Sequence, residues 1–284
     1  MCIRDRSYAG NKTDRYEALK NFDSLLAIAT FSRDPRGSRL LRFHAAEAVA
    51  SGIPTEKVLA AVTRDAARIL GVDDRVGTLE AGKHADLFIV GGDPLDPSAG
   101  VRLTMSNGHV VHENKNVQPV AALHAATEFS VPDVLPKNFA LVSERVLFPD
   151  GQFAPAAVLV KEGKITGIRK GKGKKRTGDF IVIDVGQAVV TPGMLSAHVA
   201  GGSNQTTAAV SAHVRAVDSL SPGDTDLKKL SEGGFTSVVM APGSRSVIAG
   251  QVGCVRIAAE DSILKNDAKP IACLLYTSPS PRDS

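Results

Sequence analysis

The sequence predicts an α/β protein, in which helical and strand-like stretches alternate along a chain of 284 residues. Three observations support this fold class. Residues from about 14 to 72 have the apolar spacing of helices, residues from Gly77 onward form short apolar runs between turn residues, and residues after Pro192 mix both patterns. The strand–helix–strand order of that last part indicates the beginning of an α/β barrel or of an open sheet.

The composition is that of an ordinary globular protein, with 43% hydrophobic and 23% charged residues. Its length fits one or two domains. The net charge of +4 is mild, and aromatic residues make up 5% with no Trp, so we expect no nucleic-acid partner. No apolar run approaches about 18 residues, so we expect no membrane segment. The opening "MCIRDRSYAG" lacks the apolar core of a signal peptide, and the sequence leaves the localisation open.

The two ends of the chain differ in character from the rest. "MCIRDRS" and "CLLYTSPSPRDS" closely resemble translated sequencing-adapter read-through in assembled environmental reads. We therefore expect residues 1–7 and 273–284 to be artefact tails and the true N-terminus to be missing; real disordered termini are the alternative. Cys2 and Cys273 lie in these tails. Only Cys254 remains, so neither a disulfide framework nor a cysteine metal site is predicted.

The first part of the chain predicts one strand and three helices. "SLLAIATFS" has the composition of a buried parallel strand. "SRLLRFHAAEAVASG" predicts a helix with Ser38 as its N-cap and Gly52 as its stop. "PTEKVLAAV" predicts a second helix capped by Thr55, and "DAARILG" predicts a short third helix that ends at Gly71.

Strands dominate from residue 77. "ADLFIVGG" predicts a continuous strand, and "VRLTMSNGHVVHE" predicts a hairpin around Asn107-Gly108. Residues 114–138 contain three prolines and predict a linker. Four further strands are predicted in "FALVSERVLFPDG", "AAVLVKEGKITGI", "FIVIDVG" and "AVVTPG". The break "GKGKKRTGD" is typical of a solvated loop, with an anionic-ligand patch as the alternative. "TDLKKLSEGG" predicts a helix ending at Gly233, followed by a buried strand in "FTSVVMAPGS".

Two regions carry a resemblance to a known family. "AVTRDAARILGVDDRVGTLEAGKHADLFIVGGDPLD" resembles the C-terminal end of amidohydrolase-superfamily enzymes, where a helix precedes a G-x-L-E-x-G-K-x-A-D-L turn and strand. "VLVKEGKITGI" and "VIDVGQAVVTPGMLSAHVAGG" resemble the opposite end, the N-terminal strands and the first barrel strand. "EGGFTSVVMAPGSRSVIAGQVGCVRIA" resembles the next barrel segment of imidazolonepropionase-like members. The resemblance covers roughly residues 20 to 113 and 139 to 260.

A C-terminus-like region thus precedes an N-terminus-like region. This order implies a piece cut from two tandem units, with a circularly permuted single domain as the alternative. The implied fold is a set of incomplete TIM-barrel pieces flanking a small β-sandwich. Its expected parts are the C-terminal barrel helices (8–76) and sandwich strands (77–113) of unit one, a linker (114–138), and the N-terminal sandwich strands (139–191) and first barrel segments (192–272) of unit two. We expect the two sets of sandwich strands to pair, because either set alone would expose unpaired edges.

The resemblance also implies an activity, the hydrolysis of non-peptide C–N bonds in a small molecule, with one or two divalent metals of the zinc type. In the family the first barrel strand ends P-G-x-I-D-x-H-x-H, and its two histidines share one face of the strand. Here His198 matches the first histidine, Ser196 replaces the aspartate and Ala200 replaces the second histidine. We therefore expect His198 to be a vestigial ligand and this chain to hold no metal; a mononuclear site completed by strands outside the chain is the alternative.

The remaining candidates are single residues. Asp34, in "FSRDPRGSR", lies about where the family places its catalytic aspartate; a helix-entry residue is the alternative. "APGSRSVIAGQ" is typical of a barrel loop rather than a phosphate-binding nest. Of the further histidines considered, His44 is expected to be a packing or surface residue of its helix. His109 and His112 are three apart in the hairpin, so they face opposite sides and cannot easily share a metal. His124 and His213 have no partners in the sequence. Two functions stay open, a metal-dependent hydrolase and a non-catalytic pseudoenzyme or scaffold, each completed by the remaining parts of both units.

Overall fold

The computed structural model describes residues 2–4, 24–29, 40–115, 129, 131–132, 135–171, 179–200, 212–219, 229–242, 248–257 and 272–275. These residues form a mixed α/β protein that is rich in sheet and has few helices. The predicted α/β class is confirmed in this form. Among the described helices, none is long and apolar enough to cross a membrane.

The described strands are β1 (Cys2–Arg4), β2 (Ala27–Ala29), β3 (Leu87–Val90), β4 (Val101–Ser106), β5 (His109–Glu113), β6 (Asn138–Leu147), β7 (Phe153–Lys161), β8 (Lys164–Lys170), β9 (Ile181–Asp184), β10 (Val189–Pro192), β11 (Met194–Ala200), β12 (Phe235–Ala241), β13 (Ile248–Arg256) and β14 (Ala272–Leu275). The described α-helices are α1 (Leu41–Ala50), α2 (Thr55–Val62) and α3 (Arg64–Ile69).

The helices follow the predicted order but differ at their ends. α1 stops before Gly52, whose φ of +93° is a conformation that glycine adopts without steric cost. The predicted cap Ser38 lies outside the described residues. The sequence predicts Thr55 as the N-cap of α2, and this prediction is wrong. Pro54 occupies the N-cap position, and its carbonyl accepts hydrogen bonds from the N–H groups of Lys57 and Val58.

Strands from both halves of the chain form one sheet. Among the described residues its order is β5-β4-β3-β10-β6-β7-β8, and β9 pairs with β6. β10 pairs antiparallel with β3, with Val190 opposite Ile89 and Thr191 opposite Phe88. The pairing that the sequence predicts between the two sets of strands is therefore present.

The β4–β5 hairpin confirms the prediction made from Asn107-Gly108. Both turn residues have positive φ angles, 50° for Asn107 and 76° for Gly108. Positive φ at both central positions is the conformation of a type I′ turn, which matches the twist of paired strands. The local sequence thus determines where this part of the chain reverses.

The two faces of β3 contact different hydrophobic clusters. Phe88 and Val90 contribute to a cluster that includes residues of α1, α2 and the second sheet. Leu87 and Ile89 contribute to a cluster with residues of β6, β7 and β9. Successive side chains of a strand point to opposite faces, so β3 is buried on both sides. All four of its residues are fully buried.

The second sheet has the order β11-β12-β13-β14 among the described residues, and its β11 and β12 are parallel. A short helical turn at 229–231 precedes β12, as the strand–helix–strand pattern predicts. Small side chains bring β2 against β11: Ala27 and Ala29 share a cluster with Leu195 and Ala197. The two ends of the chain also contribute strands, since β1 pairs parallel with β2 and β14 pairs antiparallel with β13.

Candidate functional site

The predicted metal strand is β11, which begins directly after Gly193. A Cβ atom at Gly193 would lie 2.1 Å from Thr236 Oγ1, so only glycine fits beside β12 here. The Gly193 N–H donates to the carbonyl of Asp86 at 2.9 Å. Ser196, which stands where the family has an aspartate, is fully buried. The Pro-Gly turn therefore aligns β11 with β12 and also links it to the region before β3.

The β11–β12 pairing is irregular near His198. Ser196 lies opposite Val238 and Val199 lies opposite Met240, so three residue steps on β11 face two on β12. This is a β-bulge, which bends a strand and interrupts its alternation. For residues 198–200 only the backbone is described, and Ala200 pairs with Ala241. The sequence predicts a regular strand here, whereas the structure places His198 within the bulge.

Asp34, the candidate catalytic residue, lies outside the described residues and stays a prediction. It follows β2 in the chain, and β2 packs against β11. Across the described residues, no group of three or more His, Cys, Asp or Glu side chains could hold a metal ion. A catalytic zinc site needs about three protein ligands. The described residues do not fit the divalent metal that the family resemblance implies.

The other histidines are dispersed over the described residues. His44 lies on α1 with its Nδ1 3.7 Å from Glu47 Oε2. His109 is exposed on β5, while His112 is half-buried and burial lowers its pKa. His213 is exposed, and His124 lies outside the described residues. Among the described residues, none of these histidines belongs to a group of three or more potential metal ligands.

A buried ionic cluster surrounds Asp86, directly before β3. Asp86 Oδ2 accepts a hydrogen bond from Arg256 Nε at 3.2 Å. Asp86 Oδ1 accepts from the backbone N–H of Asn107 at 2.6 Å. Burial raises the pKa of Asp86, and the Arg256 charge opposes that shift. Both carboxylate oxygens have partners within the protein, so this group joins the hairpin turn to β13.

Two neighbours of this ion pair are also titratable. His84 Nδ1 lies 2.9 Å from Asn107 Oδ1. Burial lowers the pKa of His84, and the positive charge of Arg256 lowers it further. Cys254 is half-buried two residues before Arg256, and burial raises the pKa of its thiol to about 11. The thiol is therefore protonated at neutral pH and is a poor nucleophile.

The turn before His84 is held by its own side chains. Lys83 Nζ donates to Thr78 Oγ1 at 2.5 Å and forms an ion pair with Glu80 Oε2 at 2.9 Å. Thr78 Oγ1 also donates to Glu80 Oε2. The hydrogen bond from Thr78 and then that from Lys83 lower the pKa of Glu80. The G-x-L-E-x-G-K motif quoted above thus has a structural explanation within this chain.

Arg42 is a residue whose role the sequence analysis missed. It is buried on α1, where its Nε donates to the carbonyl of Pro94 at 3.1 Å. Its Nη2 donates to the carbonyls of Ala99, at 2.9 Å, and Asp96. Burial lowers the pKa of Arg42 to about 10, so it stays charged at neutral pH. The sequence signal for this role is the position of Arg42 beside Leu41, on the apolar face of the predicted helix.

A cleft of about 320 Å³, including space open to solvent, lies between α2 and the turn after β6. Glu56, Leu59, Arg64 and Phe148 contribute to its lining. Arg64 donates to the carbonyl of Pro149 at 2.7 Å and to Asp65 Oδ1 at 2.9 Å. The Arg64 guanidinium in the lining is therefore engaged within the protein.

Comparisons with known proteins support the resemblance. The model of the amidohydrolase family matches residues 12–121. The imidazolonepropionase of Mesorhizobium japonicum is 49% identical over 67 residues, which are 22% of this chain and 16% of that protein. The imidazolonepropionase of Rhizobium meliloti is 43% identical over 76 residues, which are 26% of this chain and 18% of that protein.

A solved structure is also similar. The crystal structure of an amidohydrolase from Thermotoga maritima aligns with a TM-score of 0.42 and 22% identity, over 50% of this chain and 40% of that chain. The matched regions span 16% and 18% of the length of the two curated relatives. The family match contains the "GTLEAGKHADL" turn whose hydrogen bonds are described above. Residues 12–121 are thus similar to the amidohydrolase family, and part of the chain is similar to two imidazolonepropionases.

Proposed function

We propose that this chain is part of a tandem amidohydrolase-family protein that hydrolyses non-peptide C–N bonds. The observation that carries the proposal is the family match over residues 12–121, followed in the chain by the first-strand-like "TPGMLSAHVAGG". A C-terminal family element that precedes an N-terminal one is the order expected at the junction of two units. The remaining parts of both units would complete the two barrels.

The curated relatives suggest which substrate to test first. Both are imidazolonepropionases, so imidazolonepropionate is the first small molecule to offer to the full-length protein. Asp34 would serve unit one as its catalytic aspartate, in the family's manner. The chain spans a small part of these relatives, so the substrate has to be tested on the longer protein.

The second unit would carry a degenerate metal motif. An alanine methyl has no lone pair to donate, so Ala200 cannot replace the second histidine of the family strand. Ser196 is fully buried in the pairing with β12, which suits a packing role. His198 would then be a single vestigial ligand. The same two substitutions favour the second candidate function, a pseudoenzyme or scaffold in which at least unit two is non-catalytic.

The proposed architecture keeps a small β-sandwich between barrel pieces. Support comes from one hydrophobic cluster that includes Leu87 and Ile89 from the first half and Phe139, Leu141 and Val158 from the second. Strands that share such a core and pair through β3 and β10 are what a sandwich built by two consecutive units requires. The packing of β2 against β11 supports adjacent barrel pieces in the same way.

The first test is the full-length reading frame, expressed and assayed with imidazolonepropionate and added zinc. Metal-dependent hydrolysis, with lysine and histidine ligands in the missing strands of unit one, supports the hydrolase. Loss of those ligands in both units, with no turnover, supports the scaffold. A reading frame with a single unit in permuted order contradicts the tandem proposal.

The second test uses this chain alone. After dialysis against zinc, elemental analysis of the purified protein should find no stoichiometric metal, because a catalytic zinc site needs about three protein ligands and the described residues offer no such group. The double variant Ser196→Asp and Ala200→His should gain only weak affinity. One equivalent of tightly held zinc that disappears in His198→Ala would contradict the degenerate-site proposal.

A further inference from the structure

Two segments of the chain contact each other over several distinct surfaces. The first segment is residues 24–115, described over 24–29 and 40–115, and the second is residues 135–257, described over the ranges given above. We propose that the two segments bind each other through an interface that holds them together without the peptide connection between them. This inference does not rest on the proposed function, because the contacts are the same whatever reaction the longer protein catalyses.

The first contact is the pairing of β3 with β10. Four residues of each strand pair, from Leu87 with Pro192 to Val90 with Val189. The Gly193 N–H extends this contact by donating to the carbonyl of Asp86 at 2.9 Å. Without the second segment, β3 would have a free edge and its fully buried side chains would meet water. The first segment therefore needs β10 as a neighbour.

The second contact joins the turn at Gly82 and Lys83 to the start of β8 by backbone hydrogen bonds. The Gly82 N–H donates to the carbonyl of Ile165, and the Ile165 N–H donates to the carbonyl of Lys83, both at 2.8 Å. The backbones approach closely nearby, where a Cβ atom on Gly108 would lie 2.6 Å from Gly163 Cα. Glycines on both sides make this fit possible, which indicates surfaces of matched shape.

The third contact consists of buried polar groups that cross between the segments. Thr104 Oγ1 donates to the carbonyl of Ser231 at 2.6 Å, and Ser231 Oγ donates to the carbonyl of Val111 at 3.3 Å. Arg256 forms its ion pair with Asp86 across the same boundary. Separated segments would leave these groups without their present partners, so the polar contacts favour association of these two surfaces in one register.

The test cuts the folded full chain. The recognition sequence of a site-specific protease is inserted between Ala121 and Ala122, and the cleaved protein is analysed by size-exclusion chromatography with mass spectrometry. We expect both fragments in a 1:1 ratio at the elution volume of the uncut chain, separating only in denaturant. Fragments that elute separately in native buffer, or that precipitate while the uncut insertion variant stays soluble, overturn the proposal.

A matched pair of variants tests whether the named contacts hold the cut complex. Thr104→Val removes a hydrogen bond between the segments, whereas Thr166→Val removes one within the second segment, from Thr166 Oγ1 to the carbonyl of Leu159. On dilution of a fluorescently labelled cut complex, we expect Thr104→Val to raise the Kd about tenfold, as loss of one buried hydrogen bond predicts. Thr166→Val should change it less than twofold. Equal changes in Kd for the two variants would overturn the proposal that these contacts hold the segments together.

Discussion

Arg256 Nε on β13 lies 3.2 Å from Asp86 Oδ2, directly before β3, and this ion pair joins residues 170 positions apart in the chain. The Asp86 side chain is 2% exposed and the Arg256 side chain is 17% exposed, so the carboxylate is shielded from solvent and the guanidinium is mostly shielded. A buried carboxylate is costly to transfer from water and depends on its partner cation. This dependence makes Asp86 the most informative position for a stability measurement.

The first prediction concerns the loss of that carboxylate. Asp86→Ala leaves the Arg256 charge and the Asn107 N–H without their acceptor, and it should lower the free energy of unfolding by about 3–5 kcal/mol. Asp150→Ala is the control, because Asp150 accepts one hydrogen bond from the Gln152 N–H at an exposed turn. Urea denaturation should place the control within about 0.5 kcal/mol of the parent. Equal losses in both variants would show that the ion pair contributes little.

The second prediction compares two glycines that both have positive φ. A Cβ atom at Gly234 would lie 2.8 Å from Phe88 Cγ, whereas one at Gly82 would meet nothing within 4 Å. Gly82→Ala should therefore cost only the left-handed backbone term, about 1–2 kcal/mol. Gly234→Ala should cost about 1–3 kcal/mol more, because the methyl group overpacks the core. Thermal denaturation measures both.

A double-mutant cycle checks the physical reason for that difference. Phe88→Ala removes the Cγ and Cδ atoms that the new methyl group would meet, so the extra cost of Gly234→Ala should shrink in the Phe88→Ala background. If the cost of Gly234→Ala is unchanged there, the clash with Phe88 is not its origin.

The third prediction concerns the arginine that the sequence analysis missed. Arg42→Met keeps much of the side-chain volume but removes the donors to the carbonyls of Pro94, Asp96 and Ala99. We expect a loss of roughly 3 kcal/mol in the free energy of unfolding, with faster proteolysis within 93–99. Arg75→Met is the control, since Arg75 pairs with Asp74 at an exposed position. A change below about 0.5 kcal/mol is expected for it.

The fourth prediction is a loss of stability in mild acid. The pKa of His84 is lowered from 6.5 in the folded chain, first by burial and then by Arg256. The unfolded chain therefore takes up a proton before the folded chain does as the pH falls below about 6.5. The stability that neutral His84 contributes is fully present above pH 6.5 and is lost as the pH falls from there through the lowered pKa of the folded chain. His112, whose pKa burial also lowers, should act in the same direction.

This pH dependence is measured by denaturation at pH 8 and pH 5.5. His84→Gln should reduce the difference in unfolding free energy between the two pH values, and adding His112→Gln should reduce it further. Asp86 and Lys164 are charged groups near His84, so both variants are compared with the parent at pH 8, where the histidines are neutral. An unchanged difference in the double variant would contradict the prediction.

Several elements could be predicted because their causes are local. Asn107-Gly108 specifies its own turn, since both residues tolerate positive φ. The apolar run of β3 indicates a strand buried on both faces whatever its neighbours are. The motif around Gly82 and Lys83 makes the resemblance to the amidohydrolase superfamily visible in the sequence alone. The predicted N-cap of α2, Thr55, is one residue away from the observed N-cap, Pro54. Both residues suit the start of a helix, so the sequence does not separate them.

For the candidate site, the sequence predicts which residues are present but not how they are arranged in space. The absence of a second histidine at Ala200 is visible in the sequence, and it suffices to make His198 a single candidate ligand. The bulge between Ser196 and Val199 is not visible, because it depends on how β11 aligns with β12, some forty residues further along the chain. Register across such a separation is decided by packing of both strands.

The sequence by itself determined the α/β class, the positions of most strands, the β4–β5 turn and the resemblance to one superfamily. These follow from backbone preferences and side-chain periods that act over a few residues. Only the tertiary structure decided that β3 pairs with β10, that Asp86 meets Arg256 and that Arg42 binds the 93–99 loop. Those partners lie far apart in the chain, and they meet because one buried core must satisfy the apolar faces and the polar groups of both halves at once.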